Sequence, residues 1–203
     1  MVTGVIDYGA GNLRSVRNTL DSLGAEQKLI ATGDELTGVD SLIFPGVGAF
    51  GDCSRNLEER GFMEPLREWI AADKPFLGIC IGFQMLFQSS TESPGARGIG
   101  AFAGEVVRFP DTPGLKVPHM GWNHLDLANP ADPVWSGLGD EPYFYFVHSY
   151  FPDPADKSLV ASTTLHGVEF ASSVRRGKLF ATQFHPEKSQ AAGAKLIGNF
   201  LGL

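Results

Sequence analysis

The chain is short of cysteine, of basic charge and of long apolar runs, and each shortage closes off a class of function. Two cysteines, Cys53 and Cys80, among 203 residues do not make a disulfide framework. Neither has a second Cys or His at the close spacing of a metal site, so both are expected to be free thiols, and neither a metal nor another cofactor is expected. Sixteen Lys and Arg against 23 Asp and Glu leave a formal charge of −7. A nucleic-acid surface needs clustered cations, so a small molecule or another protein is the expected partner. No apolar run approaches bilayer-spanning length, which argues against a membrane role. The N-terminal segment shows no basic region followed by an apolar stretch and a cleavage site, so the expected compartment is the cytosol.

What is present describes an ordinary globular chain, 43 % hydrophobic and 19 % charged. No repeat, linker or low-complexity tract divides it, and a single domain over residues 1–203 is expected. The first half alternates short apolar β-type runs with helical patterns, as in a parallel sheet with helices on both faces. Val2 to Ile6, Leu29-Ile30, Leu42 to Phe44 and Pro75 to Ile79 read as strands. Leu13, Val16, Leu20 and Leu23 recur at helical spacing up to Gly24, and Phe62 to Ile70 repeats the pattern. Between residues 100 and 183 the pattern turns β-rich, with Glu105 to Phe109, Trp122 to Leu127, Tyr143 to Val147, Val168 to Val174 and Leu179 to Phe184. These are expected to extend the sheet, some antiparallel, before a closing helix with Leu196, Ile197, Phe200 and Leu201. The expected fold class is α/β, a central mostly parallel sheet flanked by helices with additional antiparallel strands.

Gly78-Ile79-Cys80-Ile81-Gly82 places a cysteine between small neighbours where a buried strand gives way to a helix, the context of a nucleophile elbow. Glycines there let backbone and substrate approach the side chain, and the helix N–H groups and dipole favour the thiolate. A lone cysteine is more often a packed core residue, and only the frame raises Cys80 above that; Cys53 has no such frame and reads as structural. Among the five histidines, His185 in Phe184-His185-Pro186-Glu187 is the best candidate base. Pro186 biases His185 to extended backbone, and residues two apart then project to one side, so Glu187 can orient the imidazole. The segment also reads as a plain charged turn. It gains weight because it ends a strand that could neighbour Cys80, and parallel sheets gather chemistry at strand carboxyl ends.

Pro45-Gly46-Val47-Gly48 follows another strand, and its backbone N–H groups, with that of Ile81, could form an oxyanion hole. A phosphate loop would need a Lys-Ser or Lys-Thr after it, which is missing. Gly9-Ala10-Gly11 imitates a dinucleotide fingerprint, but Arg14 stands where the third small residue belongs.

Taken in order and spacing, Pro45 to Gly48, Gly78 to Gln84 and Phe184 to Glu187 resemble the three signature segments of the class I (triad) glutamine amidotransferases, across nearly the whole chain. Within that family, Asp7 to Asn12, Pro45 to Asp52, Pro118 to Asn123 and Tyr145 to Tyr150 are most similar to the glutaminase subunits of imidazole glycerol phosphate synthases. The resemblance implies that Cys80 attacks the side-chain amide of L-glutamine to give a thioester and ammonia, with His185 as acid and then base and Glu187 as its partner. It implies an oxyanion hole of Val47 and Ile81, in a loop that reorients before donating. It further implies substrate contacts from Gly46, Gly48, Gln84, His148, Ser149 and Tyr150. The implied partner is a (β/α)₈ barrel cyclase subunit that receives the ammonia for histidine biosynthesis, forming a heterodimer. His119, Met120, Trp122, Asn123 and Tyr145 would face it, although Trp122 and Tyr145 could equally be core aromatics. His124 and His166 are left structural. A chain of this length accommodates the glutaminase and no synthase, so the ammonia is expected to be used by another polypeptide. The rivals are a glutaminase serving another synthase, such as one making pyridoxal phosphate, a cysteine hydrolase acting alone, and a non-catalytic module on the same fold.

Overall fold

A computed structural model describes every residue except Gly11 and Asp140, so the end of the Gly9 to Gly11 segment lies outside the described residues. The first half builds β1 (Val2–Ile6), α1 (Leu13–Ser22), β2 (Glu26–Ile30), β3 (Ser41–Phe44), α2 (Phe50–Glu59), α3 (Met63–Ala71), β4 (Phe76–Ile79) and α4 (Ile81–Gln84). The second half is mostly β: β5 (Ser89–Ser90), β6 (Gly104–Arg108), β7 (His119–His124), β8 (Asp126–Leu127), β9 (Tyr143–His148), β10 (Tyr150–Pro154), β11 (Val160–His166), β12 (Val168–Arg176) and β13 (Leu179–Thr182), closed by α5 (Gln190–Leu201).

Eight strands form the central sheet in the order β2-β1-β3-β4-β13-β12-β11-β8. From β2 through β13 neighbours run parallel, and β12, β11 and β8 continue antiparallel. Alternation sorts the strands' side chains between two cores. Ile6, Leu42, Phe44 and Phe76 pack with Leu57 of α2 and Leu66, Trp69 and Ile70 of α3. Val5, Ile43, Leu77, Ile79 and Phe180 pack with Val16 and Leu20 of α1 and Leu196, Ile197 and Leu201 of α5. Each fully buried Leu, Ile or Phe contributes about 1.5–3 kcal/mol over its exposed state. That two-sided burial is why β3 and β4 are uninterrupted apolar runs, while the edge strand β2 carries exposed Glu26 and Lys28.

The expectation that all the later strands extend this sheet needs correction. Residues 105–108 lie in β6, the middle of a separate three-stranded sheet with β10 and β5, Phe109 falls just past its end, and among the described residues β7 pairs only with β9 in a two-stranded sheet. The β7–β9 pair lays Phe144 and Phe146 on the core, within 4.3 and 5.7 Å of the Phe184 ring, so its apolar face is spent against the loop leaving β13. Among the described residues no helix is long and apolar enough to cross a membrane.

Candidate active site

Three adjacent parallel strands end together. Phe44 of β3 and Ala181 of β13 both pair with Gly78 of β4, and Thr182 pairs with Ile79. Whatever follows these strands is therefore delivered to one edge: the 45–48 loop after β3, Cys80 after β4, and Gln183 to Glu187 after β13.

Cys80 sits at φ 54°, ψ −104°, a conformation that costs a non-glycine residue on the order of 1–3 kcal/mol. It is held there by its own N–H, which donates to the Thr182 carbonyl at 2.8 Å, and by the N–H groups of Phe83 and Gln84, both 3.0 Å from its carbonyl. A Cβ on Gly82 would stand 2.0 Å from the Phe44 carbonyl oxygen, so the turn can lie against β3 only with glycine there. The helix expected to activate the thiol is one turn long, which leaves little macrodipole. What remains is local: the N–H of Ile81, the first residue of α4, has no partner within so short a helix.

His185 and Glu187 are buried side by side, and His185 Nδ1–H donates to Glu187 Oε1 at 2.8 Å. The route differs from the extended-strand expectation. His185 is extended, but residues 186–188 form a 3₁₀ turn, and the turn brings the carboxylate back to the ring. The backbone is pinned from both sides: His185 N–H donates to the Tyr145 carbonyl at 2.9 Å, and the Ser189 hydroxyl donates to the His185 carbonyl at 2.7 Å. His185 Nε2 is buried without a hydrogen-bond partner, as is Glu187 Oε2. Burial by itself pulls the imidazole down, but the charge and hydrogen-bonding capacity of Cys80, then Glu187, outweigh it and raise His185 to about 10. What the fold shows directly is that Cys80, at the end of β4, and His185, three residues past the β13 strand end beside it, arrive at the same edge of the sheet.

Beside Cys80 opens a cavity of ≈ 280 Å³. Val47, Gly48, Gln84, His148, Ser149 and Tyr150 line it, together with Glu92, Pro118 and Val147, which sequence reasoning missed. Gly46, expected to touch substrate, is not in the lining. It lies beneath the loop, where a Cβ would meet Ile81 Cγ2 at 2.1 Å and the Tyr8 hydroxyl at 2.4 Å. That hydroxyl donates to the Val47 carbonyl at 3.2 Å, holding the loop from below. Burial, then the charges of Cys53 and Cys80, push the Tyr8 phenol far above its ordinary range, and burial does the same to the Cys53 thiol.

The stretch expected to face a partner divides in two. Met120 and Trp122 are 63 % and 47 % exposed, with Tyr145 half-buried against the Trp122 ring. His119, in contrast, is buried, stacked 4.2 Å from His166, and Asn123 is half-buried, donating to the Leu165 carbonyl at 3.0 Å. Strand alternation puts 119 and 123 on the inner face and 120 and 122 on the outer, so the side chains of His119 and Asn123 do not form the outward surface. Burial, then the charge of His166, lowers His119 to about 4; burial above all, then the charges of His119, His185 and His166, hold His148 well below its usual value despite its bond to Tyr150.

Comparison with known proteins identifies the family. A family model described as Glutamine amidotransferase class-I matches residues 4–202. Imidazole glycerol phosphate synthase subunit HisH of Methylococcus capsulatus is 47 % identical over 97 % of this chain and 94 % of its own. The protein of the same description from a Synechococcus species is 48 % identical over 97 % of this chain and 91 % of its own. Among solved structures, a crystal structure of a glutamine amidotransferase superposes with a TM-score of 0.77 at 23 % identity, covering 100 % of this chain and 98 % of that one. PurLQS from Thermotoga maritima gives 0.76 at 19 %, covering 99 % and 97 %. At those identities the two structures speak for the fold alone. The strand-end cysteine, the imidazole–carboxylate pair and the full-length match together make this chain a member of the class-I glutamine amidotransferase family.

Proposed function

We propose that this chain is the glutaminase subunit of an imidazole glycerol phosphate synthase. It releases ammonia from L-glutamine through Cys80, His185 and Glu187, for use by a cyclase partner. The Cys80 thiolate adds to the side-chain carboxamide carbon. The oxyanion that forms is stabilised by the Ile81 N–H and, from the 45–48 loop, that of Val47, such donors contributing a few kcal/mol each. Protonated His185 gives its Nε2 proton to the departing nitrogen, the C–N bond breaks, and ammonia leaves behind a glutamyl thioester. Neutral His185 then takes a proton from water, whose oxygen displaces the sulfur and frees glutamate. Glu187 holds the ring through Nδ1 and stabilises the imidazolium in both halves.

The observation that supports this reading most is geometric: β4 and β13 end side by side, the Cys80 N–H donates to the Thr182 carbonyl at 2.8 Å, and His185, three residues further on, is bonded to Glu187 at 2.8 Å. The near-full-length relatives that are subunits of this synthase support the choice of substrate and the need for a partner. The partner is a (β/α)₈ barrel cyclase, docked on the face that carries Met120 and Trp122, and the pair works in the cytosol, where such biosynthetic subunits belong.

The test is the nitrogen source. Cys80→Ala abolishes synthesis from glutamine by the reconstituted pair while synthesis from ammonium salts continues. Equal loss with both sources contradicts the division of labour. Glutamine hydrolysis by Cys80→Ala at the wild-type rate removes the nucleophile assignment.

A further inference from the structure

A line of hydrogen bonds runs from the β7–β9 pair to the sulfur, and its polarity is fixed by chemistry. The Tyr150 carbonyl can only accept. It receives Gln84 Nε2 at 3.0 Å and His148 Nδ1 at 2.9 Å, so both contacting atoms are N–H donors. With its proton on Nδ1, neutral His148 offers a bare Nε2, which accepts from His119 Nδ1 at 3.0 Å. On the other side, Gln84 Nε2 also lies 3.2 Å from a terminal atom of the Gln183 amide, which must therefore be the oxygen, Oε1. The remaining terminal atom of Gln183 is then the NH₂ group, and it stands 3.6 Å from Cys80 Sγ. No hydrogen needs to be seen for this assignment, because each amide is oriented by a neighbour with one possible role.

We propose that Gln183 is a hydrogen-bond donor to the Cys80 thiolate, placing the sulfur for attack and stabilising its charged form. Gln183 is fully buried, and its own N–H donates to the Ser172 carbonyl at 2.8 Å, so the side chain starts from a backbone locked to β12. A buried NH₂ group with one hydrogen turned to sulfur gains most when the sulfur is an anion, and a donor to the charged form lowers the pKa of an acid. His185 supplies the opposite charge but no hydrogen bond to the sulfur in this state, since Nε2 has no partner. The two residues divide the work: the imidazole exchanges protons, and the amide holds the anion while the imidazole turns to the leaving group. The other titratable groups around the sulfur are Tyr8 from the end of β1, and Glu92 and His148 across the cavity. The inference rests on Cys80 being the nucleophile of the proposed reaction, but its test reads the thiol directly.

The rate of Cys80 carboxamidomethylation by iodoacetamide is followed against pH in the full-length protein, with Cys80→Ser as the blank for buried Cys53. Gln183→Met keeps the volume and removes the donor. Gln183→Glu keeps the shape and sets a carboxylate beside the sulfur. Both should move the profile to higher pH, Met by roughly one unit and Glu by more, lowering the rate on the rising limb by about tenfold or beyond. Profiles that superimpose on wild type overturn the proposal. A residue needed only for packing would lower stability without moving the profile, so unfolding is measured alongside. Should both variants fail to fold, the wild-type side-chain NH₂ resonance of Gln183 is followed by ¹H–¹⁵N spectroscopy. It should shift over the pH range in which alkylation titrates and lose that step in Cys80→Ser; a resonance that does not move also overturns the proposal. Failure here leaves the nitrogen-source experiment untouched, and failure of that experiment leaves the alkylation profile readable.

Discussion

Cys80 combines a positive φ with burial, and the neighbouring His185 registers it. His185 lies above its usual value because of Cys80 and Glu187, against burial that acts in the opposite direction. Removing the sulfur with Cys80→Ala should therefore lower the His185 pKa from about 10, as an NMR titration of the ring will show; a value left unchanged means that Cys80 is not the cause. The sign for stability follows. A histidine raised above its unfolded value near ~6.5 stabilises fully below that pH, and the contribution is lost as pH rises through about 10. Wild type should thus lose stability in that alkaline window more steeply than Cys80→Ala. Gly82 gives a second residue-scale prediction. With its Cβ position 2.0 Å from a backbone oxygen, Gly82→Ala should lower unfolding free energy by about 1–3 kcal/mol or more in urea titrations, and glutaminase activity should fall with it. Cys80, Gly82 and His185 were all legible from their neighbours in the chain. Gln183 was not, although it lies only two positions before His185, in the bend that follows β13. No neighbour in the chain marks it, and only the approach of Cys80 and Gln84 gives its amide something to hold.

At the scale of elements, strands showed through best where both faces are buried. β1, β3 and β4 match the expected runs, because an uninterrupted apolar segment has no other stable place. Helix α2 had no starting signal. Ala49 stands at its N-cap and makes no side-chain cap, and the first N–H groups are satisfied from far along the chain. Phe50 N–H donates to the Glu92 carboxylate at 2.8 Å and Gly51 N–H to the Ser93 hydroxyl at 3.0 Å. A cap supplied from such a distance leaves no local trace. The β7–β9 pair shows the same limit. β9 lies close to its expected run, but the strand expected from Trp122 to Leu127 is instead β7 (His119–His124) and the separate β8 (Asp126–Leu127), and the β7–β9 register sets which side chains turn outward. Trp122→Ala should weaken binding to the proposed cyclase partner by more than about 1 kcal/mol in calorimetry while leaving unfolding free energy within roughly 0.5 kcal/mol of wild type. A large stability loss with unchanged affinity would assign Trp122 to the fold instead. Tyr145 ties this pair to the chemistry, because its carbonyl accepts from His185 N–H and its own N–H donates to the Ser189 hydroxyl.

Over the whole molecule, two buried neutral histidines shape the response to acid. Burial lowers His119 to about 4 and holds His148 well below its ordinary value, whereas in the unfolded chain both accept protons near ~6.5. Between those values the unfolded state binds more protons, so stability rises with pH and falls as pH drops from about 6.5 toward 4. The expected loss over that window is roughly 1–3 kcal/mol, measured as urea midpoints at successive pH values, and His119→Gln should flatten the slope. No sequence signal marks this pair as coupled, since 29 positions separate them and they meet only through the register of β7 on β9.

By itself the sequence determined the α/β class, the strand–turn–helix frame around Cys80 and the adjacency of His185 to Glu187. Those features depend on near neighbours, whose chemistry acts over a few bonds. Tertiary structure alone decided which strand ends coincide, which face of β7 looks outward, and which amide donates to the sulfur. Those outcomes depend on registers between strands and on polar groups that find partners only when distant segments are packed together, because a buried donor or acceptor must be satisfied by whatever the fold brings to it.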